Sequence, residues 1–455
     1  MKRVAIIGGG ISGLTALHFL RHRHADQVEV TLFEKDNRLG GTIGTDREGG
    51  FISDWGPNGF LDKVALTLQV VAELGLDDKL DSANPRSEKR FIYRYGSLHE
   101  INPSPAKFLR SGVLKLSGRL RLITEPLIKA RRDDNDESIF DFAWRRIGRE
   151  AAENLVAPMV SGIYGGDAKK LSLRACFPVM EQMERESGSL FKAMITRKKA
   201  GSKGGPAGPG GILTSFHGGL YTIIERLNEK YADFIHTGAP ITSLTRDGNC
   251  YRLQIEADVS DLFDGVICAA PAYKASELTK SLDEKLSALL ASIPYAPIAV
   301  VSLGYKRSDI DHDLDGFGFL VPQVEGLRIL GSIWTSSIFS DRAPEGMVQL
   351  RSMIGGATDV ESINWDDNRL IGTVRGDLGK ILGVTAEPVF TKIFRWKQGI
   401  PQFILGHPEK MRQLEQMTSA WSGLYFTGNA YDGIGLNDCV VRSEKAVRQI
   451  IDTLT

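Results

Sequence analysis

Cysteine is scarce in this chain, with four residues among 455: Cys176, Cys250, Cys268 and Cys439. They form no CxxC pair and have no histidine at metal-ligand spacing. Neither a disulfide framework nor a metal site is predicted, and the thiols read as inert groups of a reducing compartment. Charge of one sign is not in excess either: Lys plus Arg number 56 and Asp plus Glu 56, so no global field points to nucleic acid or to a strongly acidic partner. No run approaches the roughly twenty consecutive apolar residues of a membrane-spanning helix, which restricts any membrane attachment to a peripheral one. The first apolar run begins at Val4, leaving no room ahead of it for a secretory signal or transit peptide, and a cytoplasmic location is expected. Tandem repeats of solenoid length are lacking. So is a Ser-His-acid triad in convincing context, and no acid-base catalyst is assigned.

Glycine, by contrast, is plentiful and clusters at the two ends of the chain. Val4-Ala5-Ile6-Ile7 reads as a buried parallel strand that runs into Gly8-Gly9-Gly10-Ile11-Ser12-Gly13 and then a Leu/Ala-rich helix. In a dinucleotide-binding turn, Gly8 permits the sharp reversal, Gly10 lets the backbone approach a pyrophosphate, and Gly13 lets helix pack on strand. A strand from Val28 to Phe33 ends in Glu34, at the distance where an acid binds an adenosine ribose. Arg38-Leu39-Gly40-Gly41-Thr42 follows, an RxGG extension that resembles those of glutathione-reductase-like FAD proteins and selects FAD over NAD. Near the C-terminus, Gly423 to Asn429 reads as a strand and turn, and Gly433-Ile434-Gly435-Leu436-Asn437-Asp438 opens a final helix whose N-terminus would favour an anionic reduced flavin. The predicted cofactor shell is Gly8, Gly9, Gly10, Ile11, Ser12, Gly13, Glu34, Lys35, Arg38, Gly40, Gly41, Thr42, Gly56, Pro57, Asn58, Gly59, Ile241, Asn429, Ile434, Gly435 and Leu436.

The expected fold class is mixed α/β and α+β: a Rossmann-like FAD domain of glutathione-reductase type, interleaved with a mixed-sheet substrate domain and a helical region. The FAD domain is assigned to 1–84, 212–271 and 411–455, with Phe216-His217-Gly218-Gly219-Leu220 as a third nucleotide-domain signal. Residues 85–200 read as mainly helical, 201–211 as a loop, and 272–410 as the substrate domain, on the strength of β-branched runs such as Ile298 to Tyr305. The stretch 107–132 interleaves Lys107, Arg110, Lys115, Arg119, Arg121, Lys129, Arg131 and Arg132 with Phe108, Leu109, Leu116 and Leu120. Two readings stand for it, a face attracted to anionic lipid on the inner side of the cell membrane and the solvated basic side of a packed helix.

Segments along the whole chain carry a more specific likeness. They include Gly56-Pro57-Asn58-Gly59-Phe60, Lys89-Arg90-Phe91-Ile92, Pro158 to Asp167, Ser215 to Leu220, Gly316 to Pro322, Asp341 to Pro344 and Gly428 to Cys439. In this set and order the chain resembles the oxygen-dependent protoporphyrinogen oxidases and the related coproporphyrinogen oxidases of the flavin amine oxidase superfamily. The resemblance implies a porphyrinogen between flavin and substrate domain, with Arg90 pairing a propionate and Leu320, Ile333 and Met353 packing on the tetrapyrrole. Gly162 would offer backbone close to the substrate, and Asn58 and Phe317 complete the implied substrate shell. It also implies molecular oxygen as acceptor and allows a homodimer. Two departures stand out: Asp54 where many members carry glutamate, and Met353 where an aromatic residue is common. Protoporphyrinogen is the favoured substrate, with coproporphyrinogen as alternative. An amine oxidase, which Arg90 would disfavour by repelling a cationic substrate, and a flavin-free binding protein of the Rab-GDP-dissociation-inhibitor type are the competing readings.

Overall fold

The computed structural model describes residues 1–102, 104, 110–199, 210–255 and 259–455. The strand Lys2–Ile7 is fully buried from Val4 onward, as a central parallel strand must be when both its faces are covered. It lies in the middle of a five-stranded parallel sheet with the order Ile235–His236, Val28–Phe33, Lys2–Ile7, Gly265–Cys268, Leu424–Phe426. Val4 and Ile6 face the helices Ile11–Arg23, Thr222–Tyr231 and Leu436–Leu454, while Ala5 and Ile7 face a cluster that includes the antiparallel meander spanning 241–263. One sheet thus draws its strands from three distant parts of the chain, and the expected interleaving holds.

A second, seven-stranded sheet runs in the order Phe390–Pro401, Tyr295–Lys306, Met347–Gly355, Ile329–Trp334, Gly318–Leu320, Arg90–Arg94, Ser97–Glu100. Its alternation sorts chemistry by face. Val301, Leu303, Leu350, Ile354, Trp334 and Phe319 pack into a core with the helix Asp367–Leu382. The intervening residues, among them Val300, Ser302, Arg351, Met353, Ile333 and Leu320, occupy the opposite face.

This sheet corrects the predicted helical region at its start. Residues 90–100 are two strands of the substrate sheet, and Arg90–Arg94 pairs in parallel with Gly318–Leu320. The two strands form a local hairpin through Tyr95-Gly96, and the parallel partner far along the chain builds that hairpin into the substrate sheet. Phe216-His217-Gly218-Gly219-Leu220, read as a nucleotide-domain signal, buries Phe216 and Leu220 in the core of the parallel-sheet domain, just ahead of the helix Thr222–Tyr231. The strand ahead of it, Leu213–Phe216, pairs antiparallel with Phe60–Leu61 and Leu80–Ser82 in a separate three-stranded sheet, outside the parallel one.

Helices follow from Leu116–Ile123 to Leu190–Lys199. They are tied together by Arg146 and Glu125, both with fully buried side chains, which form an ion pair. Ser189 Oγ and Leu190 N–H donate to the Glu125 carboxylate at 2.6 and 2.9 Å, and Arg146 reaches Glu184 at 3.2 Å. Within the basic stretch, Arg121 donates to the Arg145 and Arg146 carbonyls and Arg119 to the Leu114 carbonyl, so these two guanidiniums stitch the bundle together. Leu116, Leu120, Ile123 and Leu127 nonetheless stand exposed. Lys107, Phe108 and Leu109, and loop residues 201–209, lie outside the described residues.

Candidate functional site

The N-terminal turn has the geometry its glycines suggest. Gly8 has φ +108°, which favours glycine. A Cβ on Gly13 would fall 1.9 Å from the Gly8 carbonyl oxygen, so only glycine lets the helix cross the strand here. A Cβ on Gly10, in contrast, would meet nothing within 4 Å. Gly10 therefore borders open space at the start of Ile11–Arg23, where the first helical amides have no intrahelical acceptor. Glu34 is buried, and its two oxygens accept from Gly9 N–H at 2.6 Å and Asp36 N–H at 2.9 Å, which fixes the carboxylate beside the turn. The backbone before Ile241 runs alongside, with Ala239 N–H donating to the Glu34 carbonyl at 2.9 Å. Lys35 points outward and pairs with Asp36 at 2.8 Å.

Arg38 builds the next wall from inside the loop. Its guanidinium donates to the carbonyls of Leu39 and Ile43, both at 2.9 Å, and to that of Gly41, and stacks 4.4 Å from the Trp55 ring. Gly40 forms a parallel bridge to Gly10, which brings the RxGG segment against the first turn. Gly56 abuts Thr42 so closely that a Cβ would lie 2.6 Å from its carbonyl oxygen, and Gly59 is equally tight against Thr214. Pro57 and Asn58 lie between them, and the Asn58 amide nitrogen is buried without a hydrogen-bond partner.

The last helix closes the cradle. Ser443 Oγ on Leu436–Leu454 donates to the Ser12 carbonyl at 2.8 Å, locking it to the first helix. Gly435 N–H donates to Asp438 at 3.0 Å, and the preceding turn, with Asn429 and Ile434 half-buried, runs past the same opening. The glycine-lined cradle, two helix N-termini and the orphaned Asn58 amide fit a bound dinucleotide.

Across from this cradle lies the open face of the seven-stranded sheet. Leu320, Ile333 and Met353 are all half-buried on that face, with Gly331 registered against both Leu320 and Met353. Gly162, on the helix Ala157–Tyr164, meets them directly: a Cβ there would come 2.6 Å from Leu320 Cδ2. Arg90 is registered beside Gly318, and its guanidinium lies 5.0 Å from the centre of the Phe317 ring. The guanidinium forms no hydrogen bond or ion pair with the described residues, and desolvation lowers its pKa, against the pull of Glu88, while leaving it charged. The structure thus brings the sequence-predicted substrate residues Arg90, Phe317, Gly162, Leu320, Ile333 and Met353 to one wall.

Two residues carry more than the sequence disclosed. Arg351, two positions before Met353 on the same face, is buried and donates to the Gly56 carbonyl; burial brings its pKa down to about 10, against the opposing pull of Asp54. The available signal was a charged residue in an apolar strand. Asp54, noted as a departure, is committed elsewhere. It accepts from Thr45 Oγ1 at 2.6 Å and Leu220 N–H at 3.0 Å and lies 3.8 Å from Arg342, while burial pushes its pKa up.

The model of the flavin containing amine oxidoreductase family matches residues 11–451, and the chain belongs to that family. Among its relatives, the coproporphyrinogen III oxidase of Bacillus subtilis (strain 168) is 31% identical over 467 residues, covering 100% of this chain and 98% of the relative. The chloroplastic protoporphyrinogen oxidase 1 of Arabidopsis thaliana is 31% identical over 459 residues, covering 96% and 85%. A solved structure from Exiguobacterium sp. 255-15, assigned as a protoporphyrinogen oxidase, superposes with a TM-score of 0.85 at 27% identity, covering 99% of this chain and 98% of that one. The protein is an oxidoreductase and its cofactor is FAD. The expected fold class and the resemblance to porphyrinogen oxidases are borne out. Among the described residues no helix is long and apolar enough to cross a membrane.

Proposed function

We propose that the protein oxidises protoporphyrinogen IX to protoporphyrin IX in haem biosynthesis, with oxygen as acceptor. Six electrons leave the ring in three two-electron rounds. One observation carries the reading: Leu320, Ile333 and Met353, with Gly162 against Leu320, share one face of the sheet that leads across Gly318 to the Arg90 guanidinium, while Arg351, opposite Ile333 on that face, is turned to the Gly56 carbonyl. A large apolar macrocycle with carboxylate arms needs such a wall and such a cation. Bound FAD supplies a two-electron acceptor whose turnover with oxygen yields hydrogen peroxide.

The chain's own residues bind and orient. Arg90, backed by Phe317, holds a propionate; Leu320 and Ile333 lie against one region of the macrocycle and Met353 against another. The apolar wall excludes water from the reacting carbon. Asn58 offers its free amide hydrogens beside the reactive centre, and the Leu436 helix start favours negative charge there. No side chain is assigned as a general base. Arg90 argues against a cationic amine as substrate, and membership of a flavin family sets aside the flavin-free binding protein.

Coproporphyrinogen III is the second reading, because the B. subtilis relative and another from Staphylococcus aureus (strain NCTC 8325 / PS 47), 28% identical over 100% of both chains, bear the name of that oxidase. Anaerobic mixing of the FAD-loaded protein with each porphyrinogen, followed by oxygen and porphyrin fluorescence, separates the two. Faster flavin bleaching by protoporphyrinogen supports the first reading and the reverse order the second; no bleaching by either refutes both. The exposed row Leu116, Leu120, Ile123 and Leu127, flanked by basic residues, further supports peripheral contact with an anionic membrane, testable by cosedimentation with phosphatidylglycerol vesicles.

A further inference from the structure

Three side chains remote in sequence meet where the nucleotide domain touches the seven-stranded sheet. Asp81 sits on the strand Leu80–Ser82, opposite Ser215. His217 follows the adjoining strand Leu213–Phe216, and its N–H donates to the Lys79 carbonyl at 2.8 Å. Asp341 reaches them from the loop ahead of Met347–Gly355, with Oδ2 accepting from Gly218 N–H at 2.7 Å. We propose that Asp81, His217 and Asp341 form a binding site for a divalent transition-metal ion, with zinc(II) as the best match.

The geometry is that of ligands facing a shared point. His217 Nδ1 lies 3.8 Å from Asp81 Oδ2 and 3.9 Å from Asp341 Oδ2, beyond hydrogen-bond length, and the three donor atoms all fall within 4.8 Å of one another. An ion about 2.1 Å from each donor in tetrahedral geometry sets them roughly 3.4 Å apart, so modest side-chain rotations complete the site. A second, independent observation points the same way. Asp81 is only 8% exposed, yet its Oδ2, the atom aimed at His217, has no hydrogen-bond partner. A buried carboxylate oxygen without a hydrogen-bond partner, beside a second carboxylate, favours a bound cation there, because the nearby Arg342 is already paired with Asp341.

The surroundings define which cation. Arg342 pairs with the other oxygen of Asp341 and donates to Ser215 Oγ at 3.1 Å, so it holds Asp341 in place while leaving Oδ2 toward the cluster. Its own charge is shared with Asp341 and with Asp54, 3.8 Å away. The His217 side chain is 51% exposed, which gives an ion a route in and leaves room for a water as fourth ligand. One imidazole and two carboxylates suit a borderline ion of the zinc class better than calcium or magnesium, which prefer all-oxygen sets. An ion here ties Leu80–Ser82 and the 217–219 turn to the Asp341 loop, clamping the two domains across their seam. The inference is independent of which substrate the enzyme takes.

The test uses the FAD-loaded full chain, stripped with chelator and titrated with ZnCl2 by calorimetry. In parallel it is titrated with CoCl2, whose ligand-field bands lie to the red of the flavin. One ion per chain with a Kd below about 100 μM, weakened at least 30-fold in His217→Ala and in Asp81→Asn, is the expected result. Zinc should also raise the melting temperature of the wild type and leave that of His217→Ala unmoved. Because His217 is half exposed, its replacement keeps the test valid if Asp81→Asn fails to fold. Absence of saturable binding in this range, or unchanged binding in His217→Ala, overturns the proposal.

Discussion

Replacing Gly162 with alanine should narrow the substrate slot while sparing the fold. The added methyl would lie 2.6 Å from Leu320 Cδ2, whereas carbons in contact prefer about 3.5–4.0 Å, so roughly 1 Å must be given up. The clash is with the end of a flexible side chain, and Leu320 can turn away at a cost of about 0.5–1.5 kcal/mol. On the half-buried face that Leu320 shares with Ile333 and Met353, that turn moves it toward the bound macrocycle, where overpacking costs about 1–3 kcal/mol. That converts to a loss of roughly 5- to 150-fold in kcat/KM for porphyrinogen. The assay is porphyrin fluorescence under steady-state turnover, with the 450-nm to 280-nm absorbance ratio as a check on flavin content. The double variant Gly162→Ala/Leu320→Ala should recover to the level of Leu320→Ala alone, since the clashing methyl is gone. A Gly162→Ala enzyme within twofold of wild type, or a double variant without recovery, would refute the reasoning.

The first turn offers a contrast between two glycines. Gly13→Ala collides with backbone at 1.9 Å and should yield little folded protein, whereas Gly10→Ala meets no protein atom and should fold but bind FAD at least 100-fold more weakly, measured by quenching of FAD fluorescence on titration with apoprotein. Arg90→Met should raise KM about 10- to 100-fold with kcat little changed and flavin content intact, as expected for loss of one charge-assisted hydrogen bond; Arg90→Lys should restore part of it. His407 is buried against Phe403 and bonded to the Tyr431 carbonyl at 2.8 Å, and burial pushes its pKa from 6.5 to about 4. The unfolded chain then takes up the proton first, so stability is full above pH 6.5 and falls as pH drops toward 4, by up to about 3 kcal/mol. Thermal melts of wild type and His407→Gln between pH 7 and 5 check this: the wild-type decline should be the steeper, and equal slopes would count against it.

The cofactor cradle was legible because its signal is local. Gly8 to Gly13 and Gly40-Gly41 encode backbone shapes that neighbouring residues dictate, and Gly13 sits where a side chain cannot. The substrate wall was legible only through resemblance, since nothing in the spacing of Gly162 and Leu320 reveals that they touch. Residues 90–100 fell inside the region read as mainly helical although they carry a local hairpin, Arg90–Arg94 paired with Ser97–Glu100 across the Tyr95-Gly96 turn; only the parallel pairing of Arg90–Arg94 with Gly318–Leu320 had no signal nearby in sequence. The cluster of Asp81, His217 and Asp341 was invisible for the same reason. A search for closely spaced ligands finds motifs within one element, whereas these three come from separate strands and loops that only the finished fold brings together.

The bond from Ser443 to Ser12 has a consequence for the order of synthesis. A ribosome that has translated as far as residue 420 has long since released the first glycine turn, but neither the sheet-completing strand Leu424–Phe426 nor the helix Leu436–Leu454 that covers the turn yet exists. Between the synthesis of Gly265–Cys268 and that of Leu424–Phe426 the nascent chain holds an unfinished parallel sheet with one open edge, a state prone to wrong pairing. The cradle around the first turn is closed only once Leu436–Leu454 has been made, which makes its completion a late step of synthesis.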